Sequence, residues 1–195
     1  MQKIVTFLLI GSFFFGSCHS SYEKVNDSTR ESTQTFFPVT DYLKGQLKEL
    51  DSMPITPLKT ITINRKTDSE WVKRESIRRF AMPFLTPVID SVSMSSFFSV
   101  KSFLDQTINA FTFSYDPKKQ LPDSISLNHW DVYINPQQST VERIYMVKEK
   151  VVGEGTITTQ LTWKSGRDCS IVIITQKPGK EPEIRKEKMQ WNFDN

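Results

Sequence analysis

The sequence predicts an α+β protein, with amino-terminal helices packed on a curved, mainly antiparallel sheet of about six strands, either open or curled into a partial barrel. Three observations carry this expectation. Apolar residues recur at helical spacing between Val39 and Phe80. From Asn109 onward, six runs alternate in character with turn-prone groups between them. The links between those runs are two to eight residues long, too short for crossover helices, so consecutive strands should pair antiparallel.

Taken in order, the domain is expected to span residues 36–195 and to open with a helix in "FFPVTDYLKGQLKELDSM". Pro38 suits a first turn, and Val39, Tyr42, Leu43, Leu47 and Leu50 fall on one side. Gly45 costs this helix about 1 kcal/mol relative to Ala. Pro54 and Pro57 stop it, and "LKTITINRKT" alternates as a first strand. Asp68 or Ser69 is placed to cap a second helix, "SEWVKRESIRRFAM", which would pack through Trp71, Val72, Ile77 and Phe80 and be limited by Pro83 and Pro87. "TPVIDSVSMSSFFSVKSFLDQT" reads as one or two short helices, with Phe97, Phe98, Val100, Phe103 and Leu104 inward.

The strands follow as "NAFTFSYD", "SISLNHWDVYIN", "TVERIYMVKEK", "GTITTQLTWKS", "DCSIVIITQ" and "IRKEKMQWNF". A single meander covered on one face by the helices is the economical arrangement. Large side chains on both parities of some strands keep the partial barrel open as a competitor. "GEG", Gly153 to Gly155, has no following helix or Lys-Ser/Thr pair and reads as a hairpin turn, not a phosphate loop. Lys186 and Lys188 would suit an exposed sheet edge.

Ahead of the domain, Lys3 precedes an apolar run from Ile4 to Phe15. A charged start, a short apolar core and small residues after it make a secretion signal. About a dozen residues fall short of the roughly 20 that a bilayer core needs. The run ends Phe15-Gly16-Ser17-Cys18, which resembles the lipobox of bacterial lipoproteins, with Phe15 standing where that pattern usually has Leu, Val or Ile. The resemblance implies that residues 1–17 are removed, that Cys18 is lipidated, and that the acyl chains hold the protein on a membrane. His19, where an Asp would mark inner-membrane retention in some bacteria, leans towards the outer membrane. Ordinary secretion with Cys18 incidental, or a retained anchor, are the alternatives. His19 to Thr35 is polar and Ser/Thr-rich, a tether spanning roughly 20–25 Å. "YLKGQLKELDSMPITPLK" is similar to the opening of small lipoproteins of Bacteroidetes-type bacteria, and that likeness implies no activity.

The formal charge of +3 falls by one when Lys3 leaves, and it is spread along the chain, so nucleic acid is not an expected partner. Lys73, Arg74, Arg78 and Arg79 cluster as one solvated helix face. With Cys18 lipidated, Cys169 stands alone, which removes any internal disulfide and makes Cys169 a small core hydrophobe. No cofactor, metal set or catalytic set is readable. His129 is the only histidine of the domain; it shares strand parity with Asp131, but a third metal ligand is not offered by any spaced His/Cys set. Glu142, Glu149 and Glu154 lie among lysines and arginines as solvated pairs. Trp130, Tyr133, Tyr145, Trp163 and Trp191 are the candidate ligand-facing aromatics; they would either line an apolar groove or fill the core. The functional expectation is a lipid-anchored envelope protein, non-catalytic, that binds or assembles with the membrane and another envelope protein. A carrier of a small apolar ligand and a cell-envelope hydrolase are the alternatives.

Overall fold

A computed structural model describes residues 36–194. The expected signal (1–17), lipidated Cys18 and tether (18–35) lie outside the described residues. The fold is α+β, dominated by one antiparallel sheet of nine strands, not six, and the sheet does not close into a barrel. Among the described residues no helix is long and apolar enough to cross a membrane.

Helix α1, Val39–Ser52, buries Val39, Leu43, Leu47 and Leu50. This is the stripe that helical spacing dictates. Its buried Thr40 hydroxyl accepts the Ile89 N–H at 2.8 Å, fixing the later segment 88–90 against the first turn. Strands β1, Leu58–Ile63, and β2, Lys66–Trp71, form a hairpin. Asn64 and Arg65 both take positive φ, 47° and 70°, as a two-residue type I′ turn requires. This hairpin overturns the expected helix from Ser69. Thr60–Ser69 and Thr62–Thr67 hydroxyl pairs at 3.1 and 2.9 Å lock the strands face to face, and only Ser76–Ala81 remains helical, as α2. A 3-10 turn, Met82–Leu85, follows, then α3, Ser91–Met94, capped by Asp90.

The segment after α3 is also not helical. Phe98–Asp105 is strand β3, which pairs with β4, Ala110–Pro117, without interruption from Phe98 opposite Pro117 to Asp105 opposite Ala110. The amino-terminal helices are therefore interleaved with three strands. The remaining strands are β5, Leu127–Ile134; β6, Val141–Val152; β7, Gly155–Lys164; β8, Asp168–Gln176; and β9, Glu183–Gln190. These and β4 coincide with the six runs read as strands. The sheet order is β2-β1-β9-β8-β7-β6-β5-β4-β3. The expected edge role of Lys186 and Lys188 is corrected by this order: β9 is interior because β1, from the other end of the domain, pairs along its free side.

Directly opposed residues share a face, so the registers define two faces. On the helix face one row runs Tyr115, Trp130, Met146, Leu161, Ile171, Glu187, Ile61, Asp68. The next runs Phe113, Val132, Ile144, Trp163, Cys169, Met189, Lys59, Glu70. Both are apolar under the helices and turn charged towards β2. Trp130 is stacked on Tyr115 at 4.5 Å and meets the edge of Phe98 at 4.6 Å, while Phe84 of the 3-10 turn meets Trp163 at 5.7 Å. Each such ring pair adds about 0.5–1.5 kcal/mol beyond its area burial. Cys169 is fully buried in this core, and burial pushes its thiol up. The opposite, open face is mainly polar.

Candidate functional site

The helices do not cover the whole helix face. Past α2 and the 3-10 turn, the face of β8, β9 and β1 is left open as a trough formed by two adjoining hollows of about 650 and 460 Å³. Ile171 and Ile173 on β8 and Ile61 and Ile63 on β1 supply its apolar floor. They flank Arg185 and Glu187 on β9, which pair Nε to Oε1 at 2.7 Å. Ile173 is directly opposite Arg185, and Glu187 directly opposite Ile61, so the two hollows adjoin across β9 with the ion pair between them. Phe80, Met82 and Pro83 form the wall, and Met82 stands 55% exposed on the rim.

At the far end Lys148 reaches up from β6, and its ammonium donates to the Pro83 and Thr86 carbonyls. Burial pulls its pKa down to about 8. The trough thus combines isoleucines, the Arg185–Glu187 ion pair and one partly desolvated cation, with Arg79 beside the first hollow and Lys66 and Asp68 beside the second. Such a set suits an extended amphiphile.

A second cluster sits on the open face. His129 Nδ1 lies 2.9 Å from Asp116 Oδ1, and its Nε2 lies 3.0 Å from Asp131 Oδ2. Tyr133 donates its hydroxyl to Asp131 at 3.1 Å, and the Arg143 guanidinium lies 3.9 Å over the Tyr133 ring. The hydrogen bond to Asp131 raises the imidazole above its usual value, against burial. Burial would raise the Asp131 carboxyl, but hydrogen bonds from His129, Ser114 and Tyr133 hold it below its usual range. Burial and the Asp131 charge push Tyr133 up to about 12. The β4–β5 register, with Tyr115 opposite Trp130, sets Asp116 beside His129, and a register shift against β6 lies between Leu127 and His129. The bulge turns Leu127 into the core and His129 to the open face, although the two share sequence parity. Both imidazole nitrogens are occupied by carboxylates, an arrangement that ties β5 to β4 and leaves no free lone pair. Among the described residues no group of three His, Cys, Asp or Glu is placed to hold a metal.

The aromatic residues singled out from sequence fall on both sides of the sheet. Trp130, Trp163 and Trp191 are buried beneath the helices, whereas Tyr133 and Tyr145 lie on the open face. They are not brought together. Cys18 is outside the described residues. The basic group is locally engaged: Arg78 pairs with Asp51, and Arg74 donates to the Met53 carbonyl at 3.1 Å. The trough residues were not singled out from sequence, since Ile61 and Ile173 become neighbours only through β9. No protein-family model matches the chain, and neither a curated protein nor a solved structure shows significant similarity to it.

Proposed function

We propose that this chain is a lipid-anchored protein of the bacterial cell envelope, held at the outer membrane through Cys18, that binds a partner without catalysing a reaction and uses the trough as its contact surface. The observation that carries the binding half is the half-buried group Ile61, Ile63 and Ile173 on β1 and β8, bordered by Met82, 55% exposed. A group of this kind is costly to leave in water and is a common mark of an interaction surface. The non-catalytic half is supported by His129, whose two nitrogens are both engaged. The anchor rests on the Phe15-Gly16-Ser17-Cys18 sequence.

A second reading, a carrier of a small apolar ligand, is favoured by hollows of about 650 and 460 Å³, the size range of small-molecule sites. A photo-crosslinking phenylalanine analogue in place of Met82, irradiated in intact cells, separates the two. A protein-sized adduct supports the binding reading and an acyl-sized adduct the carrier. Absence of both at Met82, while the same analogue at Tyr145 on the open face gives an adduct, overturns the trough as the contact surface. The anchor is checked by the intact mass of detergent-extracted protein. Residues 18–195 plus a diacylglyceryl group support it, and an unmodified mass starting elsewhere refutes it.

A further inference from the structure

We propose that the outer edge of β3 pairs with the same edge of a second copy of this chain, antiparallel and centred on Ser102, to join two sheets across a two-fold axis. The argument starts from the difference between the sheet's two edges. Among the described residues the terminal strands are β2 and β3. Strand β2 is exposed at every position and carries Lys66, Asp68 and Glu70, the charged character that discourages further pairing. Strand β3 carries Phe103 and Leu104, 48% and 50% exposed, with Lys101 as its single cation and Asp105 at its end. It has no proline, and its pairing with β4 has no bulge. Its free side therefore offers a straight row of backbone donors and acceptors beside exposed apolar side chains, the requirement for strand addition.

The residues of β3 also select the occupant and the register. A two-fold axis perpendicular to the sheet keeps both helix faces on one side, and it must pass through a residue, because paired residues share a face. Centred on Ser102, Val100 meets Leu104 of the second copy on the helix face, and Lys101 meets Phe103 on the open face. Ser99 then meets Asp105, and each Lys101 lies diagonal both to the other copy's Asp105 and to its Lys101. Apolar groups meet apolar groups or a lysine stem, and no like charges are opposed. Centring on Lys101 would set two ammonium groups against each other. Centring on Phe103 sets Phe103 against itself and Lys101 against Asp105, but it shortens the pairing from seven residues to five, sets Leu104 against Ser102 and leaves Val100 without a partner. The Ser102 register also places both copies of Phe36, where the chain joins the fold against Tyr115 and Trp130, on the same side of the doubled sheet. One short strand per copy gives a contact at the small end of specific interfaces, so the dimer is weak and concentration-dependent.

The test is Ser102→Cys in the full chain under mild oxidation. Directly opposed Cβ atoms lie about 4.5–5.5 Å apart, within a small adjustment of the disulfide span. Ser102→Cys should give a disulfide-linked dimer about tenfold faster than Ser99→Cys, whose position faces Asp105 and not itself. Wild-type protein alongside accounts for any Cys18 cross-link; Cys169 is buried. Sedimentation of the wild type should show self-association that Leu104→Lys, an exposed position, removes while the circular dichroism spectrum is kept. Equal rates for Ser102→Cys and Ser99→Cys, or faster linking by Phe103→Cys, overturn the register. A wild type that stays monomeric at millimolar concentration overturns the dimer.

Discussion

Asp131→Asn tests whether the open-face cluster is held by charge or only by shape. The Asp131 side chain is 13% exposed and receives the His129 imidazole at 3.0 Å and the Tyr133 hydroxyl at 3.1 Å. A hydrogen bond to a charged group contributes about 1.5–3 kcal/mol, and a neutral one about 0.5–1.5 kcal/mol. Asparagine keeps an acceptor for Tyr133 but loses the charge that meets the imidazolium, and His129 retains Asp116. The loss at about pH 5.5 is then about 2 kcal/mol, or about 4–8 °C in Tm. The sign of the pH dependence follows from linkage. His129 is raised above its ordinary value of 6.5, so its contribution is complete below that value and is lost as pH rises through the folded-state pKa. Asp131 is lowered, so its contribution is present above the ordinary carboxylate value and is lost only on strong acidification. Thermal unfolding of wild type and variant at about pH 5.5 and about pH 9 should therefore show a gap that shrinks at the higher pH, to about 1 kcal/mol or less. A gap of equal size at both values would refute the imidazolium–carboxylate reading and leave only packing.

Two further outcomes follow from single sites. Lys148, with its pKa drawn down to about 8 by burial, binds its proton less tightly folded than unfolded. Its cost to stability is complete below pH 8 and relieved between there and its ordinary 10.5; the stability of wild type relative to Lys148→Met, measured by urea unfolding, should rise across that window, and a flat difference would count against the buried ammonium. Gly45 and Gly155 should respond to alanine with opposite signs. A Cβ at Gly45, exposed in α1, meets nothing within 4 Å, so Gly45→Ala should stabilise by about 1 kcal/mol, whereas a Cβ at Gly155 would sit 2.6 Å from the Gln176 carbonyl oxygen, so Gly155→Ala should lower Tm; equal signs in a thermal melt would refute the contrast.

What the sequence made legible was the part of the fold whose two sides differ. Strands β4 to β9 alternate because one face is under helices and the other is in water, and α1 shows its stripe for the same reason. Strand β2, "KTDSEW", is exposed throughout, so no alternation marks it, and Ser69 within it reads as a helix cap instead. Strand β3 was mistaken for helix because Phe97, Val100, Phe103 and Leu104 happen to recur at three and four, while only Phe98 of the strand is fully buried. The interior position of β9 could not be read at all, since it depends on a pairing with β1 across nearly the whole domain. The same distance hid the trough, whose floor joins Ile61 to Ile173. At the His129 cluster the His129–Asp131 pair was visible as strand parity. Asp116 required the β4–β5 register, and the bulge beside Leu127 has no local signature.

The trough itself follows from a mismatch of dimensions. Nine strands at about 4.8 Å spacing make a sheet roughly 38 Å wide. Helix α1, with 14 residues, is only about 21 Å long, and the six of α2 add about 9 Å. Elements of these lengths do not roof the full width; β2, most of β1 and the Arg185–Glu187 part of β9 fall outside, while Met189 of β9 is still in the core. If that uncovered strip were ordinary surface it should match the open face, where one row runs Tyr145, Thr162, Ser170, Lys188, Thr60, Ser69 with every member polar. It does not. Ile61, Ile63 and Ile173 alternate there with Arg185 and Glu187, and the two charges are turned on each other. A face that keeps its aliphatic groups while neutralising its charges internally is suited to being covered part of the time. It loses little solvation of charge when an apolar chain settles on it, and it remains soluble when none does.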